Sequence, residues 1–310
     1  MSVNAMVNSA SGEALGRLVP VGRARPQDLA GVPLHGAVAL IERGDITFAD
    51  KVNNVAAAGA TGALIYNNEP GVFRGLIPAP SHIPVVSIDD TEGQRLLQNA
   101  GSRPITVELK VDTVIVEGHS QNVIAVLPGL DQRSIVLGAH YDSVPQGPGA
   151  NDNASGVGTV MELARVLASD PPSLTVKVAL FGAEEIGLVG SRRYVESLDA
   201  EEKDRIMAML NFDMVGVGDA PSVGGSSDLT DMAVDIAVEG GLQLAPMTGQ
   251  AASGSDHDSF ISAGVPALFF HRLDDPRYHT PEDTAEFVEP SHMTQAGELA
   301  LEIIDRLDAR

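Results

Sequence analysis

The sequence SIVLGAHYD at residues 134–142 places a histidine and an aspartate directly after an apolar, β-branched run. Such a run is typical of a strand buried in the middle of a sheet. The same order recurs further along the chain, where apolar runs are followed by Glu184 and Glu185, by Asp213, and by His279. Because the carboxyl ends of parallel strands meet at one edge of a sheet, we expect these polar side chains to converge there.

Strands and helices alternate along most of the chain. Residues 47–58 have the pattern of a helix that is capped by Thr47 and terminated by Gly59, between apolar runs at 37–41 and 63–66. After residue 104 the predicted strands are 106–116, 122–127, 134–137, 175–181, 207–212 and 266–270, and the predicted helices are 153–168, 191–196, 200–205, 230–239 and 290–309. This alternation predicts an α/β sandwich with a mostly parallel sheet, and the break at 101–104 predicts a domain boundary.

The composition excludes several classes of function. The chain has 310 residues, with 20 Lys and Arg against 42 Asp and Glu, so its net charge is −22. This charge argues against nucleic acid and against an anionic membrane surface as partners, since both require a basic face on the protein. The chain has no cysteine, which excludes disulfides and cysteine-ligated zinc. Any metal would therefore be held by histidine and carboxylate side chains.

Targeting signals are also absent from the sequence as it stands. No stretch reaches the roughly 18 continuous apolar residues of a membrane span. Residues 1–20 lack a charged segment followed by an apolar one, so we predict no signal peptide in this chain.

The polar residues after the strands suit a pair of metal ions. Two histidines and three carboxylates, one of them shared, give each ion three protein ligands and leave a position open for a bridging water, with the ions roughly 3.5–4 Å apart. Glu184 and Glu185 are adjacent, and neighbouring side chains on an extended segment diverge. One of the two can therefore bind metal while the other faces the open position as a general base.

These segments resemble peptidase family M28, the zinc peptidases that include the bacterial leucyl-type aminopeptidases. The matching motifs occur in the family's order over about residues 106–310: His140-x-Asp142, DNASG at 152–156, EEIG at 184–187, NFDM at 211–214, SDH at 255–257 and Tyr278-His279. Any one of them is a weak signal, whereas the ordered set is specific. The resemblance implies a phosphorylase/hydrolase-like α/β sandwich for residues 104–310.

The first part of the chain resembles a second family, the protease-associated (PA) domain. The match runs through AVALIERGD at 37–45, Phe48, Lys51, AGA at 58–60 and IYNN at 65–68. It implies a smaller β-rich domain at residues 1–103. In M28 members that contain a PA domain, a helical segment usually precedes the PA insertion, whereas the PA-like sequence here begins almost at Met1.

The M28 resemblance implies a specific set of metal ligands. It implies two zinc ions per chain, with His140 and Asp213 on one ion, Glu185 and His279 on the other, and Asp152 bridging both. In the family the peptide bond after the bridging aspartate is often cis, which predicts a cis bond between Asp152 and Asn153.

The resemblance also implies roles around the ligands. Glu184 would be the general acid and base, and Tyr278 would donate a hydrogen bond to the developing oxyanion. Asp142 would orient His140, as carboxylates commonly do for zinc-bound imidazole. Asp256 and His257 would lie just outside the ligands or in the pocket wall.

The function expected on these grounds is a two-zinc aminopeptidase that removes N-terminal residues from peptides. Three alternatives stay open: a glutamate-carboxypeptidase-like enzyme, a glutaminyl-cyclase-like enzyme with one zinc, and a binding module whose peptidase domain is inactive. The family suggests a secreted or extracellular protein. The sequence leaves the oligomeric state and the preferred N-terminal residue open.

Overall fold

The chain folds as two compact units, Met1–Gly118 and His119–Arg310. The computed structural model describes residues 3–71, 73, 75–77 and 79–309. Residues 1, 2, 72, 74, 78 and 310 belong to the predicted domains but lie outside the described residues.

The first unit is built on a six-stranded sheet. Its strands are β1 (Val3–Ala5), β2 (Gly12–Pro20), β3 (Val38–Glu42), β4 (Gly62–Tyr66), β5 (Val85–Ile88) and β6 (Thr106–Val111). They lie in the order β1-β5-β4-β3-β2-β6, with the three central pairings parallel and the two outer ones antiparallel. Two helices accompany the sheet, α1 (Phe48–Ala57) and α2 (Asp90–Ser102).

Helix α1 shows how the sequence specifies local structure in this unit. The side chain of Thr47 accepts a hydrogen bond from the main-chain nitrogen of Asp50 at 3.1 Å, which satisfies one of the free donors at the start of the helix. Gly59 follows the helix with a φ of 93°, a conformation that glycine adopts without strain. The predicted cap and terminator of this helix are confirmed.

The second unit contains a mixed seven-stranded sheet. Its strands are β7 (Val123–Leu127), β8 (Ser134–His140), β9 (Thr175–Phe181), β10 (Ile206–Phe212), β11 (Ala220–Gly225), β12 (Ala245–Pro246) and β13 (Ala267–Leu273), and its helices are α3 (Gly156–Ser169), α4 (Val189–Ser197), α5 (Ala200–Arg205), α6 (Ser227–Glu239), α7 (His257–Ser262) and α8 (Pro290–Asp308). The strand order is β12-β11-β13-β10-β8-β9-β7, and four of the six pairings are parallel.

Alternating side chains of the central strands pack against helices on both faces of this sheet. Ile135 and Leu137 belong to the core that contains α3, α6 and α8, whereas Val136, between them, packs with residues of α4 and α7. This is the alternation expected of a strand with both faces covered. The predicted α/β sandwich with a mostly parallel sheet is therefore confirmed.

Some predicted boundaries differ from the structure. The first unit extends to Gly118, 15 residues beyond the predicted end at 103, because β6 pairs antiparallel with β2 and so completes the first sheet. The strand predicted at 106–116 ends at Val111. The sequence pattern also missed four strands (β1, β2, β11 and β12) and helix α7.

Helix α3 begins later than predicted. It starts at Gly156 and follows an irregular turn at Ala150–Ser155, so Asp152 does not cap it. The side chain of Asn153 does accept a hydrogen bond from the nitrogen of Gly156 at 3.0 Å. The bond between Asp152 and Asn153 is cis, as predicted.

Among the helices of the described residues, none is both long and apolar enough to cross a membrane.

Candidate metal centre

The predicted ligands lie where four neighbouring parallel strands end. His140 is the last residue of β8, Asp213 directly follows β10, and Glu185 and His279 lie in the segments after β9 and β13. Asp152 lies in the irregular turn that leads into α3. The order of these strands in the sheet is β13-β10-β8-β9, so their carboxyl ends bring side chains distant in sequence to one edge.

The five side chains form two groups that share one carboxylate. In the first group, Nε2 of His140 lies 3.1 Å from Oδ1 of Asp152 and 3.3 Å from Oδ1 of Asp213. In the second group, Nε2 of His279 lies 3.0 Å from Oδ2 of Asp152 and 3.0 Å from Oε2 of Glu185. Within each group the candidate ligand atoms all lie within 4.8 Å of one another. The two oxygens of Asp152 therefore face different groups.

The polar atoms of the second group fit a metal better than they fit one another. Nε2 of His279 is buried and close to two carboxylates, yet it has no hydrogen-bond partner within the described residues. The other oxygen of Glu185, Oε1, is likewise buried without a partner there. Buried polar atoms are normally hydrogen-bonded, and imidazole with carboxylate is a common ligand set for zinc. The residues present therefore fit a metal site.

The carboxylates change the acidity of both histidines. Burial lowers the pKa of His140, but Asp213 and Asp152 outweigh this effect and raise its pKa well above the usual value. Burial also lowers the pKa of His279, but the nearby carboxylates of Asp152 and Glu185 outweigh it and raise this pKa to about 9. In the absence of metal the nearby carboxylates thus favour the protonated form of both imidazoles.

Asp142 supports the site differently from what the resemblance implies. Nδ1 of His140 donates to the main-chain oxygen of Asp142 at 3.0 Å, whereas the Asp142 carboxylate is 3.8 Å from this nitrogen. That carboxylate instead accepts hydrogen bonds from the main-chain nitrogens of Glu184 at 3.0 Å and Glu185 at 3.3 Å. Asp142 therefore holds His140 through its carbonyl and the segment of the two glutamates through its side chain.

Glu184 is a buried acid beside the first ligand group. It is 9% exposed, and burial together with the charges of Asp213 and Asp256 raises its pKa well above the usual value, although His140 opposes this shift. Its carbonyl accepts hydrogen bonds from the nitrogens of Gly187 and Leu188 at 2.7 and 2.8 Å. The backbone is thus fixed on both sides of a carboxyl group whose surroundings favour its protonated form.

The remaining predicted site residues lie around the two groups. Tyr278 is half exposed, and its ring stacks on that of His279 with centroids 3.7 Å apart. Asp256 is fully buried, and burial raises its pKa to about 7. His257 belongs to neither ligand group: its Nε2 lies 3.1 Å from the carbonyl oxygen of Ala252, and its ring stacks on Phe269 at 4.5 Å.

Sequence reasoning missed three polar residues that position the ligands. Ser255 donates to Oδ2 of Asp213 at 2.7 Å. Asn151 lies in the turn that carries Asp152 and accepts a hydrogen bond from the nitrogen of Gly216, and Asp283 accepts hydrogen bonds from the nitrogens of Asn151 and Asp152. Ser255 is part of the SDH motif, Asn151 directly precedes the DNASG motif, and Asp283 lies four residues after His279. These positions were the available signal, but a hydrogen bond between distant segments cannot be read from spacing alone.

Comparison with known proteins identifies the families to which the two parts of the chain belong. The model of peptidase family M28 matches residues 122–304, and the model of the PA domain matches residues 6–96. Aminopeptidase YwaD of Bacillus subtilis (strain 168) is 35% identical over 288 residues, which cover 85% of this chain and 61% of that protein. The chain thus spans less than two thirds of the length of this relative.

Two solved structures resemble the whole chain. An aminopeptidase from Aneurinibacillus sp. strain AM-1 has a TM-score of 0.84 and 33% identity, over 98% of this chain and 77% of that one. BSAP, a zinc aminopeptidase from Bacillus subtilis, has a TM-score of 0.72 and 33% identity, over 97% of this chain and 78% of that one. The chain belongs to peptidase family M28 and contains a PA domain.

Proposed function

We propose that the protein is a two-zinc aminopeptidase that removes N-terminal residues from peptides. The observation that carries this proposal is the pair of ligand groups that share Asp152, with His140 and Asp213 on one side and Glu185 and His279 on the other. Each group offers one imidazole and two carboxylates, which is enough to hold one zinc ion and leave a coordination position open. The similar proteins named as aminopeptidases support the same activity.

The residues around the ligands suit hydrolysis of a peptide bond. Zinc held by these residues would polarise a carbonyl oxygen and lower the pKa of a water molecule towards neutrality. Glu184 takes a proton from the water whose oxygen attacks the carbonyl carbon, and it returns this proton to the amine nitrogen as the carbon–nitrogen bond breaks. Burial raises the pKa of Glu184, and the higher affinity of its carboxylate for a proton suits both transfers. Tyr278 donates a hydrogen bond to the oxyanion that develops on the substrate.

The charge of the site favours a substrate with a free N-terminus. Asp142, Asp152, Glu184, Glu185 and Asp213 place five carboxylates together, and two zinc ions would contribute four positive charges. The site therefore keeps an affinity for cations, and the α-ammonium group of a peptide supplies one beside the bond to be cleaved. This argument favours an aminopeptidase over a carboxypeptidase, whose substrate presents a carboxylate.

The two other candidate functions are distinguishable by metal content and turnover. A glutaminyl-cyclase-like enzyme would be active with one zinc and would cyclise N-terminal glutamine rather than release it. A binding module would lack turnover, but pseudoenzymes tend to lose ligands or the base. Here all five candidate ligands and Glu184 are present.

A panel of aminoacyl p-nitroanilides tests the proposal. Zinc-loaded protein is expected to release p-nitroaniline from at least one aminoacyl substrate, to stop when a chelator is added, and to recover with zinc. The matching N-acetylated substrates, which lack the α-ammonium group, are the control and should react far more slowly. Absence of chelator-sensitive release across the panel would refute the proposed activity.

A further inference from the structure

We propose that Asp283 is a positioning residue that holds the main chain of the turn carrying Asp152, and that it thereby sets the zinc affinity of the group formed by Asp152, Glu185 and His279. The inference rests on the proposed two-zinc function. It concerns a residue outside both ligand groups.

Asp283 binds three successive residues of the turn. Its Oδ1 accepts a hydrogen bond from the nitrogen of Asn151 at 2.7 Å, and its Oδ2 accepts one from the nitrogen of Asp152 at 3.1 Å. Its main-chain oxygen accepts a third bond from the nitrogen of Ala150 at 3.2 Å. Asp283 itself is only 3% exposed. Three donors from one turn therefore point at a single buried residue, which fixes both the position and the orientation of the turn.

The Asp283 carboxylate makes these bonds without a cationic partner. Across residues 3–71, 73, 75–77 and 79–309, no lysine, arginine or histidine nitrogen lies within 4.0 Å of it, unlike Asp275, which pairs with Arg277 at 3.2 Å. A buried carboxylate is stabilised either by a cation or by directed hydrogen bonds. Here the main-chain nitrogens of the Asp152 turn supply the hydrogen bonds. The turn therefore stabilises the buried carboxylate of Asp283, and this carboxylate holds the main chain of the turn in position.

The position of Asp283 in the chain links it to one ligand group more than to the other. It lies four residues after His279, and its own nitrogen donates to the carbonyl oxygen of Thr280 at 3.2 Å. The segment that carries His279 is thus hydrogen-bonded, through Asp283, to the turn that carries Asp152. In addition, Nε2 of His279 lies 3.0 Å from Oδ2 of Asp152. His140 reaches the other oxygen of Asp152 from the end of β8.

The side chain of Asn151 also binds residues outside the turn. Its Oδ1 accepts hydrogen bonds from the nitrogens of Gly216 and Val217 at 3.0 and 3.1 Å, in the segment that follows Asp213. Its Nδ2 donates to Asp275 at 3.0 Å. The first ligand group therefore keeps this support when Asp283 is changed, and we expect the two groups to respond unequally.

The variant D283N tests this inference. Asparagine keeps one acceptor oxygen but turns an amide NH₂ group towards a main-chain donor, so at least one of the two carboxylate bonds is lost. The control is E282Q, which removes the neighbouring exposed charge and leaves the turn untouched. Zinc affinity is measured for both sites by competition with a chromogenic chelator, and apoprotein melting is followed by circular dichroism.

D283N is expected to bind one zinc like the wild type and the second about 10–100-fold more weakly, the range typical when a partner of a ligand is removed. Excess zinc should restore its kcat with little change in KM. E282Q should match the wild type. A merely structural role would lower the folded fraction and reduce both sites equally. Unchanged affinity at both sites, or an equal loss at both, would overturn the inference.

Two further outcomes are informative. Wild-type protein that binds no zinc would overturn the proposed function and this inference together, whereas two zinc ions bound equally well by wild type and D283N would overturn this inference alone. If D283N does not fold, amide hydrogen exchange in the wild-type apoprotein decides. Protected amides at Asn151 and Asp152 are expected, and rapid exchange at both would contradict the proposed bonds.

Discussion

Replacement of Asp142 by asparagine separates two ways in which this residue can act. In the structure its carboxylate binds the main-chain nitrogens of Glu184 and Glu185, and only its carbonyl binds His140. D142N keeps one acceptor oxygen and loses one charge-assisted hydrogen bond, which is worth about 1.5–3 kcal/mol. Since the side chain is 25% exposed, water replaces part of that loss and the lower end of the range applies. This corresponds to about a tenfold fall in kcat/KM.

The zinc affinity of D142N shows whether the Asp142 side chain acts on His140 or on the segment of Glu184 and Glu185. Because the carbonyl bond to His140 is unchanged, we expect zinc to stay bound, well short of the about 10–100-fold loss that follows removal of a carboxylate that orients a ligand. The assay combines p-nitroanilide kinetics at saturating zinc with chelator competition, and E282Q serves as the control for loss of one negative charge. A large loss of zinc affinity, with activity restored by excess zinc, would show that the carboxylate acts through His140 and would refute this reasoning.

Other consequences follow from the same contacts. Zinc binding to the apoprotein near pH 7.5 should release protons, since the carboxylates raise the pKa of His140 and bring that of His279 to about 9. Calorimetry in two buffers measures this release, and its absence would contradict the prediction. His279 has a higher pKa in the folded apoprotein, about 9, than in the unfolded chain, about 6.5. Its contribution to stability is therefore fully present below pH about 6.5 and is lost as the pH rises through about 9, so the apoprotein melting temperature should fall over that window. A constant melting temperature would count against the ion pairs of His279. Y278F should lower kcat about 10²–10³-fold with little effect on KM if the phenol donates to the oxyanion, and an equal change in both would indicate a binding role instead. K51M should lower the free energy of unfolding by about 1–3 kcal/mol in urea titration, since the buried Lys51 ammonium donates to two main-chain carbonyls at 2.8 Å; an unchanged midpoint would show that water replaces these bonds.

The sequence predicted the centre of the fold because the central strands are long apolar runs. Both faces of β8 and β9 are covered, so their sequences are nearly continuous in apolar residues and easily recognised. Strand β11 was missed because it lacks such an apolar run. Its sequence, APSVGG, has little strand propensity, and it becomes a strand by pairing antiparallel with β13 in the folded sheet.

The predicted ligands lie at or near strand ends, and this can be read from the order of apolar runs and polar residues along the chain. Their partners depend on contacts between distant segments. Asp142 illustrates the limit: the family resemblance implied that its side chain orients His140, but its carboxylate accepts a hydrogen bond from the nitrogen of Glu184, 42 residues later. Asp283 is a stronger case, since it binds Asp152 across 131 residues and no local pattern encodes that contact.

The proposed separation of base and metal ligands is tested most directly by the zinc content and turnover of E184Q, both measured on one sample and compared with the wild type. We expect two zinc ions per chain in both the wild type and E184Q, because Glu184 belongs to neither ligand group. We also expect a fall in kcat of about 10²–10⁴-fold, since glutamine cannot accept the proton of the attacking water. Near-normal turnover with full zinc content would contradict the role of Glu184, and a loss of zinc together with turnover would contradict the separation of base and ligands.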